Sequence, residues 1–256
     1  MFAYCPLSVI PVRKEASDRS EMVSQMLFGE RAEVLDKKDN WRKIRLTYDD
    51  YGGWVDKKQL VELSGEEFYK LELMPPSVSL DIVQLVMMKQ HQVTPVVLGS
   101  TMTGIIDKKL QFGETTYQYE GNVSTFLKPD PSLLLENAYM YLNAPYIWGG
   151  RSPFGIDCSG FTQMGFKLCG IKIHRDAWQQ SEQGTLIHLL DEANPGDLAF
   201  FDNAEGKIIH VGFILPNHQI LHASGKVRID KLDHQGIFNQ ELNTYTHNLR
   251  LIKRMI

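Results

Sequence analysis

The sequence predicts an α+β protein in which two small β-barrels precede a larger mixed domain. Short runs of strand-forming residues crowd residues 7–63. A second set spans residues 78–119, beyond a Pro75-Pro76 break, and helix and strand signals alternate from Asp130 onward. The expected units are residues 1–63, 64–127 and 128–256. The 256 residues are 43% hydrophobic and 23% charged, which sets aside disorder and fibrous repeats. A net charge of −4 argues against a nucleic-acid partner or a polybasic membrane anchor. No run approaches the roughly 18 apolar residues of a membrane span.

In the first unit, strands are expected at residues 8–13, 22–27, 31–35 and 41–46, separated by Gly29, Lys38-Asp39-Asn40 and Asp49-Asp50. Gly52-Gly53-Trp54-Val55 then leads into residues 60–63. So many short strands in so short a stretch imply a small barrel. Val12-Arg13, Gly29-Glu30, the Trp41-to-Ile44 run and Gly53-Trp54-Val55 arrive in the order of a bacterial SH3-like domain, which the unit resembles. Residues 65–74 read as a short charged helix. Strands at residues 82–88, 94–98 and 115–119 suggest a second, divergent SH3-like barrel without the Gly-Trp-Val closure. Met87, Met88 and Met102 are expected in its core.

Asp130-Pro131-Ser132 signals a helix start, with Asp130 as cap and Pro131 at the first helical position. Leu133, Leu134, Ala138 and Tyr141 follow at helical spacing. Beyond Cys158, the apolar residues Phe161, Met164, Leu168 and Cys169 share one helix face, so Cys158 opens an amphipathic helix on its protein-facing side. A thiolate is the nucleophile, and the free N–H groups of a helix start favour it and can hold an oxyanion. Residues 207–215 and 219–225 read as strands joined at Pro216-Asn217-His218, carrying His210 and His222. An even pairing register places both histidines on one face and an odd one separates them; the sequence leaves both open. On one face, His210 is the base for Cys158 and His222 orients it.

Five segments carry a resemblance over about half the chain: Tyr146-Ile147-Trp148-Gly149-Gly150, Asp157-Cys158-Ser159-Gly160-Phe161, Pro195-Gly196-Asp197-Leu198-Ala199-Phe200-Phe201, His210-Val211-Gly212-Phe213 and Leu221-His222-Ala223-Ser224. Residues 130–256 thereby resemble the NlpC/P60 cysteine peptidases, papain-like enzymes that hydrolyse bacterial cell-wall peptides. The resemblance implies Cys158 as nucleophile, His210 as base and His222 as third triad member, with Asp157 and Ser159 as substrate contacts. With two SH3-like units in front, the chain is similar to the subgroup that cleaves γ-D-glutamyl–diamino acid bonds in peptides with a free N-terminal L-Ala. That subgroup holds the substrate ammonium with an acidic residue of the catalytic domain and a tyrosine and glutamate of the first barrel. Asp176, Tyr51 and Glu21 are the candidates here, and Trp148 and Arg151 complete the expected substrate-binding set. Asp176 also reads as a helix cap before Ala177-Trp178-Gln179.

Cys5, Cys158 and Cys169 are too few for a disulfide framework and suit a reducing compartment. The first residues lack a basic segment followed by an apolar one, so the expected location is cytoplasmic, or periplasmic or secreted if a leader has been removed. No cofactor or metal is expected, because His91, His174, His188, His218, His234 and His247 lack ligand spacing. The expected partner is a small muropeptide, with no nucleic acid and no membrane; oligomeric state is left open. The alternatives are a broader cell-wall amidase or acyltransferase, and a wall-peptide binding protein without activity.

Overall fold

The structure, a computed structural model, describes residues 1–88 and 92–256, so His91 lies outside the described residues. The first unit contains β1 (Phe2–Tyr4), β2 (Val9–Arg13), β3 (Met22–Leu27), β4 (Arg31–Lys38), β5 (Trp41–Leu46), β6 (Gly52–Asp56) and β7 (Val61–Leu63). They form one seven-stranded sheet in the order β3-β2-β6-β5-β4-β1-β7. Ile10 and Val12 alternate inward along β2 and meet Ile44 and Val55 in a compact core. The sequence reading missed β1, because Phe2-Ala3-Tyr4 is too short to show a period. It forms because β4 and β7 pair with it on either side.

Helix α1 (Gly65–Glu72) follows, started by a Ser64–Glu67 capping box, and its Phe68 stacks on Phe2 with ring centroids 3.8 Å apart. The second unit holds β8 (Ser77–Ser79), β9 (Val83–Met87), β10 (Val93–Val97), β11 (Lys109–Phe112), β12 (Thr115–Tyr119) and β13 (Val123–Thr125). Four of these form a sheet in the order β10-β9-β12-β11, while β8 pairs with β13. Tyr4 and Phe28 of the first unit pack among Val86, Val96, Met102, Phe112 and Tyr117 of the second. The Tyr4 and Tyr117 hydroxyls meet at 3.0 Å. The two units therefore share an aromatic core and are held as one body.

The third unit contains α2 (Leu134–Tyr139), β14 (Arg151–Ser152), β15 (Gly155–Ile156), α3 (Cys158–Lys167) and α4 (Ala177–Ser181). As read from the sequence, Asp130 caps the turn before α2 and Pro131 sits at its first position. Then come β16 (Thr185–Ile187), β17 (Leu198–Asp202), β18 (Ile208–Leu215), β19 (Gln219–Ser224), β20 (Lys226–Leu232), β21 (Gly236–Asn239) and β22 (Thr244–Arg254). Their order is β16-β22-β17-β18-β19-β20-β21, and a further β21–β22 pairing closes the sheet on itself. Every residue of α3 is buried, since the helix packs against β18 and β19 and is covered by the first unit. Among the described residues, no helix is long and apolar enough to cross a membrane.

Candidate active site

Asp157 caps α3: its Oδ1 accepts from the Gly160 N–H at 2.6 Å and its Oδ2 from the Gly149 N–H at 2.8 Å. The Arg175 guanidinium grips both oxygens, at 2.9 and 2.6 Å. Asp157 borders the cleft, as a substrate contact would, and both of its oxygens are also bonded inside the protein. It fixes the helix start. Ser159, its Oγ 3.0 Å from Arg175 Nη1, also borders the cleft.

Cys158 is thus the first residue of α3, 6% exposed. Burial pushes its thiol up to about 12 and Asp157 adds to the rise, against the Val211 and Ser159 amides and Arg175, which pull it down. Desolvation of a thiolate outweighs the expected lowering by the helix start.

The pairing of Gly212 with His222 makes the register even, so His210, two residues along, lies diagonally from His222 on the same face. His210 Nε2 and His222 Nδ1 are 2.8 Å apart, with the rings nearly perpendicular at 87°. His222 Nε2 in turn lies 3.0 Å from Asp230 Oδ2. Asp230 is one strand further on: His222 pairs with Arg228, so the same diagonal step recurs. His247 of β22 stacks on His210 at 4.1 Å between centroids. Burial, then His222 and His247, hold His210 well below the usual imidazole range. Burial also lowers His247, to about 4. Among the described residues, no group of three or more His, Cys, Asp or Glu is arranged to hold a metal ion.

Cys158 opens onto a cleft of about 670 Å³ between the first barrel and the catalytic domain. Its walls bring together Tyr51 and Glu21 from the barrel with Asp176, Ser159, Trp148 and Trp178. The Tyr51 hydroxyl donates to Asp176 Oδ1 at 3.2 Å, and Trp148 Nε1 donates to Glu21 Oε1 at 2.8 Å. Burial raises Asp176 above the usual carboxylate range, with Arg175 and Tyr51 partly offsetting it. Its backbone N–H donates to Gln179, so it also starts α4.

Arg151 is corrected: it is 0% exposed and its guanidinium bonds Glu30 at 2.8 and 2.9 Å, outside the cleft. Lys167 joins the same carboxylate, within 2.5 Å. Sequence reasoning missed Asp230 and set His247 aside as scattered. In β20 Asp230 shares the polar phase of Lys226 and Arg228, alternating with Val227 and Ile229, so the strand pattern carried no signal for it.

A cysteine at a helix start lining a cleft roofed by a small barrel, with a hydrogen-bonded histidine pair on the closed sheet behind it, suits a cysteine peptidase. Residues 143–246 match the model of the NlpC/P60 family and residues 12–60 that of the bacterial dipeptidyl-peptidase Sh3 domain. The chain therefore carries an NlpC/P60 domain behind a bacterial SH3 domain, and it is a cysteine peptidase. A Bacillus cereus gamma-D-glutamyl-L-lysine dipeptidyl-peptidase is 28% identical over 235 residues, which span 81% of this chain and 68% of that protein. The Bacillus subtilis protein of the same name is 42% identical over 92 residues, 35% of this chain and 31% of its own. Lysinibacillus sphaericus dipeptidyl-peptidase 6 is 26% identical over 256 residues, covering 88% and 90%. The crystal structure of an NlpC/P60 family protein from Bacillus cereus shares the fold with a TM-score of 0.82 at 22% identity, covering 100% and 99% of the chains.

Proposed function

We propose that the chain hydrolyses the γ-D-glutamyl–diamino acid bond of peptidoglycan-derived peptides beginning with a free L-Ala, releasing L-Ala-D-Glu in cytoplasmic murein recycling. The relatives named gamma-D-glutamyl-L-lysine dipeptidyl-peptidase support the bond. One observation carries the free N-terminus: Asp176, Tyr51 and Glu21 line the same cavity as Cys158. A half-buried carboxylate raised by burial is relieved when an ammonium enters beside it. An acetylated amine offers no such charge, so the pocket discriminates by leaving its carboxylates unpaired.

In this reading Cys158 Sγ attacks the γ-carbonyl of D-Glu while its proton passes to His210. The imidazolium protonates the departing amine, the C–N bond breaks and a thioester remains. Water then attacks the thioester, giving a proton to His210, which returns it to the leaving thiolate. Burial raises the Cys158 thiol and lowers His210, which favours a neutral thiol–imidazole pair at the start of this sequence.

Mass spectrometry of L-Ala-γ-D-Glu-L-Lys digests, with the free and N-acetylated peptides side by side, tests the proposal. Cleavage of the free peptide alone, abolished by Cys158→Ala, is expected. Equal cleavage of both peptides overturns the ammonium pocket, and activity in Cys158→Ala overturns the nucleophile.

A further inference from the structure

Behind the two histidines stands a carboxylate that the proposed mechanism does not use. Asp230 on β20 is 6% exposed and bonds the outer nitrogen of His222. Arg228 holds it from the other side, Nη2 to Oδ1 at 3.0 Å and Nε to Oδ2 at 2.8 Å. Arg228 is itself tied to Glu241 at 3.1 Å. Each link from His210 to His222 to Asp230 crosses one strand with the same two-residue slip, so the row is built into the sheet register.

We infer that Asp230 is the positioning residue that sets the tautomer of both histidines and so leaves His210 Nδ1 bare to receive the Cys158 proton. A carboxylate accepts hydrogen bonds and donates none. His222 must therefore carry its proton on Nε2, facing Asp230, which leaves His222 Nδ1 as an acceptor. His210 Nε2, 2.8 Å away, must then be the donor. In neutral His210 the remaining nitrogen, Nδ1, has its lone pair free. Without the carboxylate, either direction of the His210–His222 bond is open, and the reversed one puts the proton on His210 Nδ1 and blocks the base.

The surroundings favour this arrangement. Burial pulls Asp230 upward, but its bonds to His222 and Arg228 hold it below its ordinary value, so it is ionised. The groups facing the row are Phe201 from β17, His247 from β22, and Arg228 with Glu241 at its far end. His247, lowered to about 4, is neutral near pH 7 and brings no competing charge beside His210.

The inference rests on the proposed roles of Cys158 and His210, and its test has one arm that needs no substrate. In ¹⁵N-histidine-labelled Cys158→Ala protein, long-range ¹H–¹⁵N spectra should show both His222 and His210 protonated at Nε2. Protonation of neutral His222 at Nδ1 overturns the inference, whatever the enzyme cleaves and however any Asp230 variant folds. In the active chain, Asp230→Asn should lower kcat by about tenfold or more with KM within about twofold. It should also move the acid limb of the kcat/KM profile to lower pH, because a negative charge that favours imidazolium is gone. Asp230→Glu should recover part of the loss. An unchanged kcat and acid limb in a folded Asp230→Asn protein overturns the inference.

Discussion

Asp176 and Tyr51 come from different units and meet across 125 residues of sequence. In the proposed pocket, Asp176 supplies the charge and Tyr51 orients it. Asp176→Asn should reduce kcat/KM for the free L-Ala peptide by about 10- to 100-fold, the cost of one charge-assisted bond. Tyr51→Phe should reduce it by roughly tenfold or less, since Asp176 loses the hydroxyl that orients it but keeps its charge. Steady-state kinetics on purified variants checks both, and a kcat/KM unaltered in Asp176→Asn removes that residue from the pocket. Cys158, His210 and His222 were legible from residue type and local spacing. Asp230 and His247 were not, because each reaches the site through strand pairing that no local spacing encodes.

At the scale of elements, the cleft exists because the first barrel is bolted to the catalytic domain. Glu30, in the turn between β3 and β4, is buried with Arg151 of β14 and Lys167 at the end of α3. Burial alone would raise its carboxyl, but Arg151 and Lys167 hold it down to about 2. Glu30→Ala strands two buried cations and should cost about 3–5 kcal/mol, read as a lower urea midpoint. A midpoint within error of the parent excludes the cluster as a clamp. The backbones also meet directly: Gly149 has φ +77°, and a Cβ there would lie 2.4 Å from the Met22 carbonyl oxygen. Arg151 reads as a substrate residue in sequence because it adjoins the cleft motif. Its direction is set by the β14–β15 hairpin, which turns it toward Glu30.

The whole molecule should be sensitive to acid. His210 and His247 are both lowered by folding, so the unfolded chain binds more protons below about pH 6.5. Their contribution is present above that pH and is lost as pH falls, through about 4 for His247. The Tm from calorimetry should therefore drop steadily from pH 6.5 to 4, and His247→Phe should flatten that slope. A slope identical in the variant would show that His247 titrates as it does in the unfolded chain.

By itself the sequence determined the strand-rich front, the α+β end and the cysteine at a helix start. Those follow from turn residues, caps and apolar periods, which act between near neighbours. Tertiary structure alone decided the even register of β18 and β19, the carboxylate behind His222 and the inward turn of Arg151. It also decided the burial that raises the Cys158 thiol. The reason is physical: hydrogen-bond partners across strands and desolvation depend on what surrounds a group in space, and the nearest residues in the chain do not report that.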